Sequence, residues 1–304
     1  MAGSRPRRPR PEWLSPTRKE HAVQEKIAVI GAGTMGVGVS HAFAAAGHPV
    51  VMLDVSKQAL DRAEELISRN IRYYTMLGAP PEPHPGAIMD VITLTTDLED
   101  VADADFVVEN VTENWDVKKP LYQQLEAVCK TETVFGVNTS AIPITRIAGL
   151  TGRPEQVIGV HFMNPVPLKP LVEVIHGFHT SDETVAFTRE LIRGLGKDSL
   201  VVEDSPGFVT NRVMMLMVNE AICLLQENVA GAPEIDRLFT ECFGHRMGPL
   251  ATADLIGLDT VLYSLDVLLE NFNDPKYRPS TLLRKLVDAG HLGCKSGQGF
   301  FSYA

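Results

Sequence analysis

The sequence predicts an α/β protein in which a doubly wound, mostly parallel sheet is followed by an all-helical C-terminal domain. Up to about residue 203, short runs of β-branched and apolar residues alternate with segments of helical periodicity. After a break at DSPG, residues 204–207, the apolar residues recur at helical spacing only. We therefore expect a basic tail at residues 1–24, an α/β domain at 25–204 and a helical domain at 205–304.

The individual elements follow from the same periodicities. Buried strands are expected at 27–30, 49–53, 91–95, 106–109, 133–137, 157–162, 171–175 and 199–203. Between them, helices are expected at 34–46, 56–77, 116–129, 143–150 and 182–195. Four more helices, at 209–230, 233–244, 254–272 and 281–290, complete the chain.

Composition and charge exclude several classes of protein. The chain has 304 residues and a net charge of −10, which argues against nucleic acid as the main partner. No apolar run reaches the roughly 18–20 residues that a membrane span needs. The four cysteines are far apart in sequence, so we expect free thiols in a reducing cytoplasm and no metal site. The first residues are rich in Arg and Pro, which predicts a disordered tail; the prolines disfavour the helix of a transit peptide.

A glycine-rich turn follows the first strand. Gly31, Gly33 and Gly36 give G-x-G-x-x-G between the strand IAVI and an Ala-rich helix, and Asp54 ends the next strand. This context is typical of a Rossmann-type dinucleotide site, with the pyrophosphate at the helix N-terminus. Asp54 would accept a hydrogen bond from a ribose 2′-hydroxyl and repel a 2′-phosphate, so NAD is favoured over NADP, with Lys57 as a reservation.

Polar residues stand at the ends of several predicted strands. Glu109, Asn138, Ser140, His161 and Asn164 all fall at the carboxyl end of a strand, where ligands bind in open α/β sheets. A Pro-rich connector joins VIGVHF to LVEVI, so that His161 and Glu173 can face each other. A carboxylate beside an imidazole fixes its tautomer and stabilises the imidazolium, as a catalytic base requires.

Six motifs in this order, GAGTMG, ENVTEN, NTS, HFMNPVPLKPLVEV, DSPGFVTNR and KSGQGFFSY, resemble the NAD-dependent 3-hydroxyacyl-CoA dehydrogenase family over about residues 26–304. The resemblance implies a helical domain that contributes to substrate binding and forms a homodimer, and a site between the two domains. It implies His161 and Glu173 as acid–base pair, with Ser140 and Asn211 contacting the substrate. The implied NAD contacts are Gly31, Gly33, Thr34, Met35, Gly36, Asp54, Glu109, Asn114, Asn164 and Lys295.

One departure from the family pattern leaves the thioester carrier open. The lysine expected to contact the CoA nucleotide is missing from the segment at 69–86, and Arg69 or Arg72 is the candidate replacement. The alternative is a substrate carried by an acyl carrier protein, as in similar enzymes that make hydroxy- or methoxymalonyl extender units for polyketides. Two further alternatives are a free hydroxy-acid or sugar-acid dehydrogenase and a cofactor-binding protein without catalysis.

Overall fold

The computed structural model describes residues 24–76 and 85–303. Nearly all of the predicted tail and most of the predicted Pro-rich loop lie outside these residues. The described chain forms one eight-stranded sheet followed by a group of helices. The strand order is β3-β2-β1-β4-β5-β6-β7-β8. The strands are β1 (Ile27–Ile30), β2 (Val50–Leu53), β3 (Ile92–Thr95), β4 (Phe106–Glu109), β5 (Val134–Val137), β6 (Val157–His161), β7 (Leu171–His176) and β8 (Asp198–Glu203).

The predicted doubly wound sheet is confirmed, with one antiparallel step. Strands β1 to β6 pair in parallel, β7 pairs with β6 in antiparallel orientation, and β8 runs parallel to β7. The connector between β6 and β7 is too short for the dozen or so residues of a parallel crossover, so the chain turns back on itself. The carboxyl end of β6 therefore lies beside the start of β7.

Helices cover both faces of the sheet. One face buries Ile27, Val29 and Met52 against the first two helices of the chain, and the other face buries Ala28, Val107 and Phe135 against the helices at 115–128 and 144–148. Strands buried on both sides explain the nearly continuous apolar runs in the sequence. The helices of this part are α1 (Thr34–Ala45), α2 (Lys57–Met76), α3 (Pro85–Met89), α4 (Trp115–Val128), α5 (Ile144–Ala148) and α6 (Asp182–Gly194).

The C-terminal part is helical, as predicted, and has its own apolar core around Met215, Leu250 and Leu265. Its helices are α7 (Thr210–Gln226), α8 (Ala232–Phe243), α9 (Pro249–Ile256), α10 (Leu258–Phe272) and α11 (Thr281–Asp288). The prediction of a single helix at 254–272 is wrong. Gly257 has φ +101°, a left-handed conformation that glycine adopts without strain, and it separates α9 from α10.

The glycine-rich C-terminal segment is tied to α9. The carboxylate of Asp254 accepts hydrogen bonds from the amides of Phe300 and Phe301, at 3.0 and 2.9 Å, and from the hydroxyl of Tyr303 at 2.9 Å. This segment therefore closes the helical core. Among the described helices, none combines the length and apolarity that crossing a bilayer requires.

Candidate active site

The glycine turn after β1 brings backbone and helix close together. Gly31 has φ +98°, and a Cβ there would lie 3.0 Å from the carbonyl oxygen of Asn110. A Cβ on Gly36 would lie 1.8 Å from the carbonyl oxygen of Gly31, so only glycine allows α1 to begin at Thr34 against the strand. A Cβ on Gly33 would meet none of the described atoms within 4 Å, which leaves space for a pyrophosphate above the helix N-terminus.

Asp54 lies beside this turn in a cavity of about 590 Å³, which Gly31, Gly33 and Asp54 line together with apolar side chains such as Leu53 and Leu121. The Asp54 carboxylate accepts the amide N–H groups of Ala32 and Ser56, each at 2.8 Å. These bonds hold a carboxylate at the mouth of an apolar pocket, which suits the ribose and adenine of a dinucleotide.

Lys57, the reservation about NADP, is engaged elsewhere. Its ammonium group lies 2.8 Å from the carboxylate of Asp61, one turn further along the exposed face of α2. Both side chains are well exposed, so this pair contributes little to stability. The charge beside the Asp54 cavity is therefore set mainly by Asp54, consistent with NAD.

His161 and Glu173 lie side by side on β6 and β7, where they are register partners in the antiparallel pair. His161 Nδ1 is 2.9 Å from Glu173 Oε2, and the two residues are 5% and 6% exposed. Phe208, with φ +49°, places its ring 5.8 Å from the imidazole ring. A buried hydrogen-bonded pair of this kind fixes the imidazole tautomer with the proton on Nδ1, which leaves a lone pair on Nε2.

Four hydrogen bonds hold the Glu173 carboxylate. Besides His161, its donors are the amides of Val209 and Thr210, at 3.0 and 3.3 Å from Oε1, and the Thr210 hydroxyl, 2.7 Å from Oε2. Burial alone would raise the pKa of Glu173, but the hydrogen bonds from His161, Thr210 and Val209 outweigh it and lower that pKa. The carboxylate therefore stays ionised beside the imidazole.

Ser140 and Asn211 complete the predicted group. Ser140 Oγ lies 3.3 Å from His161 Nε2, on the side of the ring that faces away from Glu173. The side-chain amide of Asn211, at the start of α7, donates to the Ser140 carbonyl at 2.8 Å. The structure thus brings together all four residues that the resemblance implies, although they come from four separate segments.

Two further residues, which were not predicted from the sequence, support these four. Glu113, in the loop after β4, accepts hydrogen bonds from the Thr139 hydroxyl, at 2.7 Å, and from the Ser140 amide. Thr210 binds Glu173 as described above. Glu113 was part of the quoted ENVTEN motif, but no residue pattern shows that its carboxylate faces the NTS segment.

Glu109 belongs to a buried hydrogen-bond network next to the loop at 110–114. Both of its carboxylate oxygens accept from the Lys118 ammonium group at 2.7 Å, one also accepts from the Val111 amide, and the other from the Tyr122 hydroxyl. Burial raises the pKa of Glu109, and Lys118 opposes that rise. With its acceptor positions filled, Glu109 holds the loop 110–114 in place; its direct contact with NAD stays a prediction.

Thr34 and Met35 begin α1 directly after the glycine turn, whereas three other implied NAD contacts belong to other segments. Asn114 is the N-cap of α4, where its side chain accepts from the Asp116 amide at 2.9 Å. Asn164 is exposed just beyond β6. The Lys295 ammonium group pairs with the Asp259 carboxylate, 2.6 Å away in the helical part. Contact of these three residues with NAD stays a prediction.

The connector between β6 and β7 packs against α1, the helix that follows the glycine turn. A Cβ on Gly38 of α1 would lie 3.0 Å from Val166 Cβ, so the connector packs directly on that helix. The buried ammonium group of Lys197 donates to the carbonyls of Val166 and Lys169, at 2.7 and 2.9 Å. These contacts fix the segment that joins His161 to Glu173.

Residues 24–76 and 85–303 contain neither a cluster of metal-binding side chains nor a disulfide. No three His, Cys, Asp or Glu side chains there are placed to hold a metal ion. Cys129, Cys223, Cys242 and Cys294 are free, and burial raises the pKa of the Cys129 thiol to about 11.

The doubly wound sheet, the glycine turn and the Asp54 carboxylate beside that turn are typical of NAD-dependent dehydrogenases. Comparison with known families narrows this class. Residues 26–205 match the model of the 3-hydroxyacyl-CoA dehydrogenase NAD binding domain, and residues 207–303 match the model of the 3-hydroxyacyl-CoA dehydrogenase C-terminal domain. The chain belongs to the 3-hydroxyacyl-CoA dehydrogenase family.

Individual relatives agree with this assignment along nearly their whole length. A probable 3-hydroxybutyryl-CoA dehydrogenase of Deinococcus radiodurans is 48% identical over 91% of this chain and 100% of its own. A 3-hydroxybutyryl-CoA dehydrogenase of Bradyrhizobium diazoefficiens is 44% identical over 93% of this chain and 96% of its own. The crystal structure of (S)-3-hydroxybutyryl-CoA dehydrogenase from Ralstonia eutropha superimposes with a TM-score of 0.85 at 39% identity, covering 92% of this chain and 99% of that one.

Proposed function

We propose that this protein interconverts 3-hydroxyacyl-CoA and 3-ketoacyl-CoA with NAD(H), and that it acts on short acyl groups such as 3-hydroxybutyryl. The observation that carries the proposal is the His161–Glu173 pair at the carboxyl edge of the sheet, with Ser140 on the free side of the imidazole. The names of the similar proteins from Deinococcus radiodurans, Bradyrhizobium diazoefficiens and Ralstonia eutropha support the choice of a short acyl-CoA.

His161 is the acid–base group in this proposal. Because Nδ1 donates to Glu173, Nε2 carries the lone pair that removes the proton from the substrate 3-hydroxyl. Bound NAD supplies the acceptor for the hydride that leaves C3. The Glu173 carboxylate stabilises the resulting imidazolium, and in the reverse direction the imidazolium returns the proton to the 3-keto oxygen.

Ser140 and Asn211 hold the substrate oxygen against the imidazole. The Ser140 hydroxyl, 3.3 Å from Nε2, is placed to hydrogen-bond the same oxygen that exchanges a proton with His161. The Asn211 side-chain amide donates to the Ser140 carbonyl and so fixes the Ser140 backbone. Such positioning brings the reacting atoms into a near-attack geometry.

We also propose that two copies associate through the helical domain. Exposed apolar side chains lie on α7, α8 and α9, among them Val213, Leu238, Phe243 and Leu255. Apolar surface of this extent on consecutive helices favours an interface between copies. Light scattering coupled to gel filtration tests this: a mass of twice 33.3 kDa is expected for a dimer.

The decisive substrate experiment compares three forms of one acyl group. NADH oxidation is followed with acetoacetyl-CoA, with acetoacetyl carrier protein and with free acetoacetate. We expect efficient turnover of the CoA thioester. Turnover of the carrier-protein thioester alone would favour the role in polyketide extender units, and turnover of free acetoacetate would favour a hydroxy-acid dehydrogenase. Absence of turnover with all three would contradict the proposed function.

A further inference from the structure

Thr210, the first residue of α7, lies against the His161–Glu173 pair, and the family resemblance implies no role for it. Its hydroxyl donates to Glu173 Oε2 at 2.7 Å, the same oxygen that accepts from His161 Nδ1 at 2.9 Å. Thr210 Oγ1 is also 3.5 Å from His161 Nδ1. Two donors, one from β6 and one from α7, therefore meet at one carboxylate oxygen on β7.

The other carboxylate oxygen caps α7. Within the described chain, the side chain of Val209, the N-cap residue, forms no capping hydrogen bond, and Glu173 Oε1 accepts the first amides of the helix instead. The positive end of the helix dipole stabilises an anion at this position. Glu173 thus joins the sheet to the helical part of the molecule, and the Thr210 hydroxyl completes the set of four donors.

The charge around Glu173 changes during the proposed reaction. Among the described residues, His161 on β6 is the titratable side chain that acts on the Glu173 carboxyl. The Glu113 carboxylate lies behind Ser140, and the Arg212 guanidinium on α7 is directed to Ser205 and Tyr277. Whenever His161 is neutral, the buried Glu173 anion therefore relies on neutral donors, because a buried charge without partners is costly.

We propose that Thr210 is a positioning residue that keeps Glu173 ionised and directed at His161 Nδ1 while the imidazole is neutral. The proposal rests on the function proposed above, in which His161 alternates between its neutral and charged forms. The hydroxyl donates a stronger hydrogen bond to the carboxylate than to the neutral carboxyl group, so it favours the ionised form of Glu173. The two α7 amides hold Oε1, and Thr210 adds a donor at the oxygen that faces the imidazole.

Two variants of Thr210 separate the effect of its hydroxyl group from the effect of its side-chain shape. T210V keeps the size and β-branching but removes the donor, whereas T210S keeps the donor. We expect the pKa of Glu173 to rise by about half to one unit in T210V, because one hydrogen bond to its charged form is lost. In T210S that pKa is expected to match the wild type.

The carboxyl titration gives a readout that does not depend on activity. The side-chain carboxyl ¹³C resonance of Glu173, identified by its loss in E173Q, is followed against pH in the wild type, T210V and T210S. A rise in T210V with a wild-type value in T210S supports the proposal. An unchanged value in T210V, or the same rise in both variants, overturns it. If T210V does not fold, T210A replaces it with the same expected rise.

Kinetics provide the second arm. The kcat for NADH-dependent reduction of acetoacetyl-CoA should fall as the pH is lowered, and in T210V this fall should begin at a higher pH than in the wild type. KM for acetoacetyl-CoA should be unchanged. T210S should have the pH profile of the wild type. A uniform loss of rate at every pH would indicate a merely structural role and contradict the proposal. A wild-type protein that is inactive with acyl thioesters would overturn the proposed function, while the ¹³C titration would still decide the effect of Thr210 on Glu173.

Discussion

His161 and Glu173 are direct cross-strand partners, with Nδ1 2.9 Å from Oε2 in the antiparallel pair of β6 and β7. The antiparallel turn at this point places a residue from the carboxyl end of β6 opposite one near the start of β7. In a parallel pair, a long crossover would join the two strands, and the end of β6 and the start of β7 would lie at opposite edges of the sheet. The one antiparallel step among the described strands thus creates the pair.

Removal of the Glu173 charge should change how stability depends on pH. The pKa of Glu173 is lowered in the folded protein, so its ionised form contributes stability that is present above the unfolded value, about 4.3, and is lost as the pH falls through the folded value. Glu173→Gln should therefore lower the free energy of unfolding at neutral pH. The difference from the wild type should shrink at acid pH.

Urea unfolding of both proteins between about pH 7 and about pH 3.5 measures this difference. Glu203→Gln, at the exposed end of β8, is the matched control and should show a much smaller effect. A Glu173→Gln deficit that is constant over the whole range would contradict the role of the carboxylate charge.

Asp54 should determine the preference for NADH over NADPH. Asp54→Asn keeps the shape of the side chain but removes the charge that repels a 2′-phosphate. We expect KM for NADH to rise by about tenfold and the ratio of kcat/KM values for NADH and NADPH to fall. Asp61→Asn, which removes the partner of Lys57 on the same face of α2, is the control. An unchanged cofactor preference in Asp54→Asn would exclude Asp54 as the ribose ligand.

Glu113 should hold Ser140 in place for catalysis. Its carboxylate accepts hydrogen bonds from both the Thr139 hydroxyl and the Ser140 amide. Glu113→Ala should therefore lower kcat for acetoacetyl-CoA reduction by about 10- to 100-fold, and Glu113→Gln, which retains one acceptor, by less. Glu132→Ala, an exposed residue ahead of β5, should behave as the wild type. Equal rates in Glu113→Ala and the wild type would show that Ser140 does not need this support.

Arg69 and Arg72 should bind the phosphates of CoA. Both are exposed on α2, and Arg72 Nε lies 3.4 Å from the Ser68 carbonyl oxygen in its own helix. The double variant Arg69→Ala/Arg72→Ala should raise KM for acetoacetyl-CoA by about five- to twentyfold with kcat little changed. Arg193→Ala on α6 controls for the loss of surface charge. An unchanged KM would remove both residues as substitutes for the missing lysine.

The sequence allowed much of the fold to be predicted because each strand is a short apolar run and each helix has a clear apolar period. Where a local signal was absent, prediction failed. Gly257 interrupts a continuous helical pattern, and a single glycine inside a helix is compatible with either a helix or a break. The antiparallel turn before β7 depends on the length of the connector, which the periodicity does not report.

The contacts within the site could also be predicted only in part from the sequence. His161 and Glu173 could be paired from the sequence because they flank one short connector. The support that Glu113 gives to Ser140 and Thr210 gives to Glu173 could not be predicted, because these partners lie 27 and 37 positions apart in the chain. Their bonds are made partly to backbone amides, which leave no residue-specific trace in the sequence. Spatial contacts between distant segments therefore required the structure.

The most direct test of the account is the rate of His161→Ala in NADH-dependent reduction of acetoacetyl-CoA, with NADH binding measured in parallel by fluorescence titration. We predict that kcat falls by at least about 1,000-fold while NADH binds as in the wild type, because the proton donor is lost and the nucleotide site is intact. His176→Ala, at the far end of β7, should retain wild-type rates. A His161→Ala rate within about tenfold of the wild type would contradict the assignment of His161 as the acid–base group.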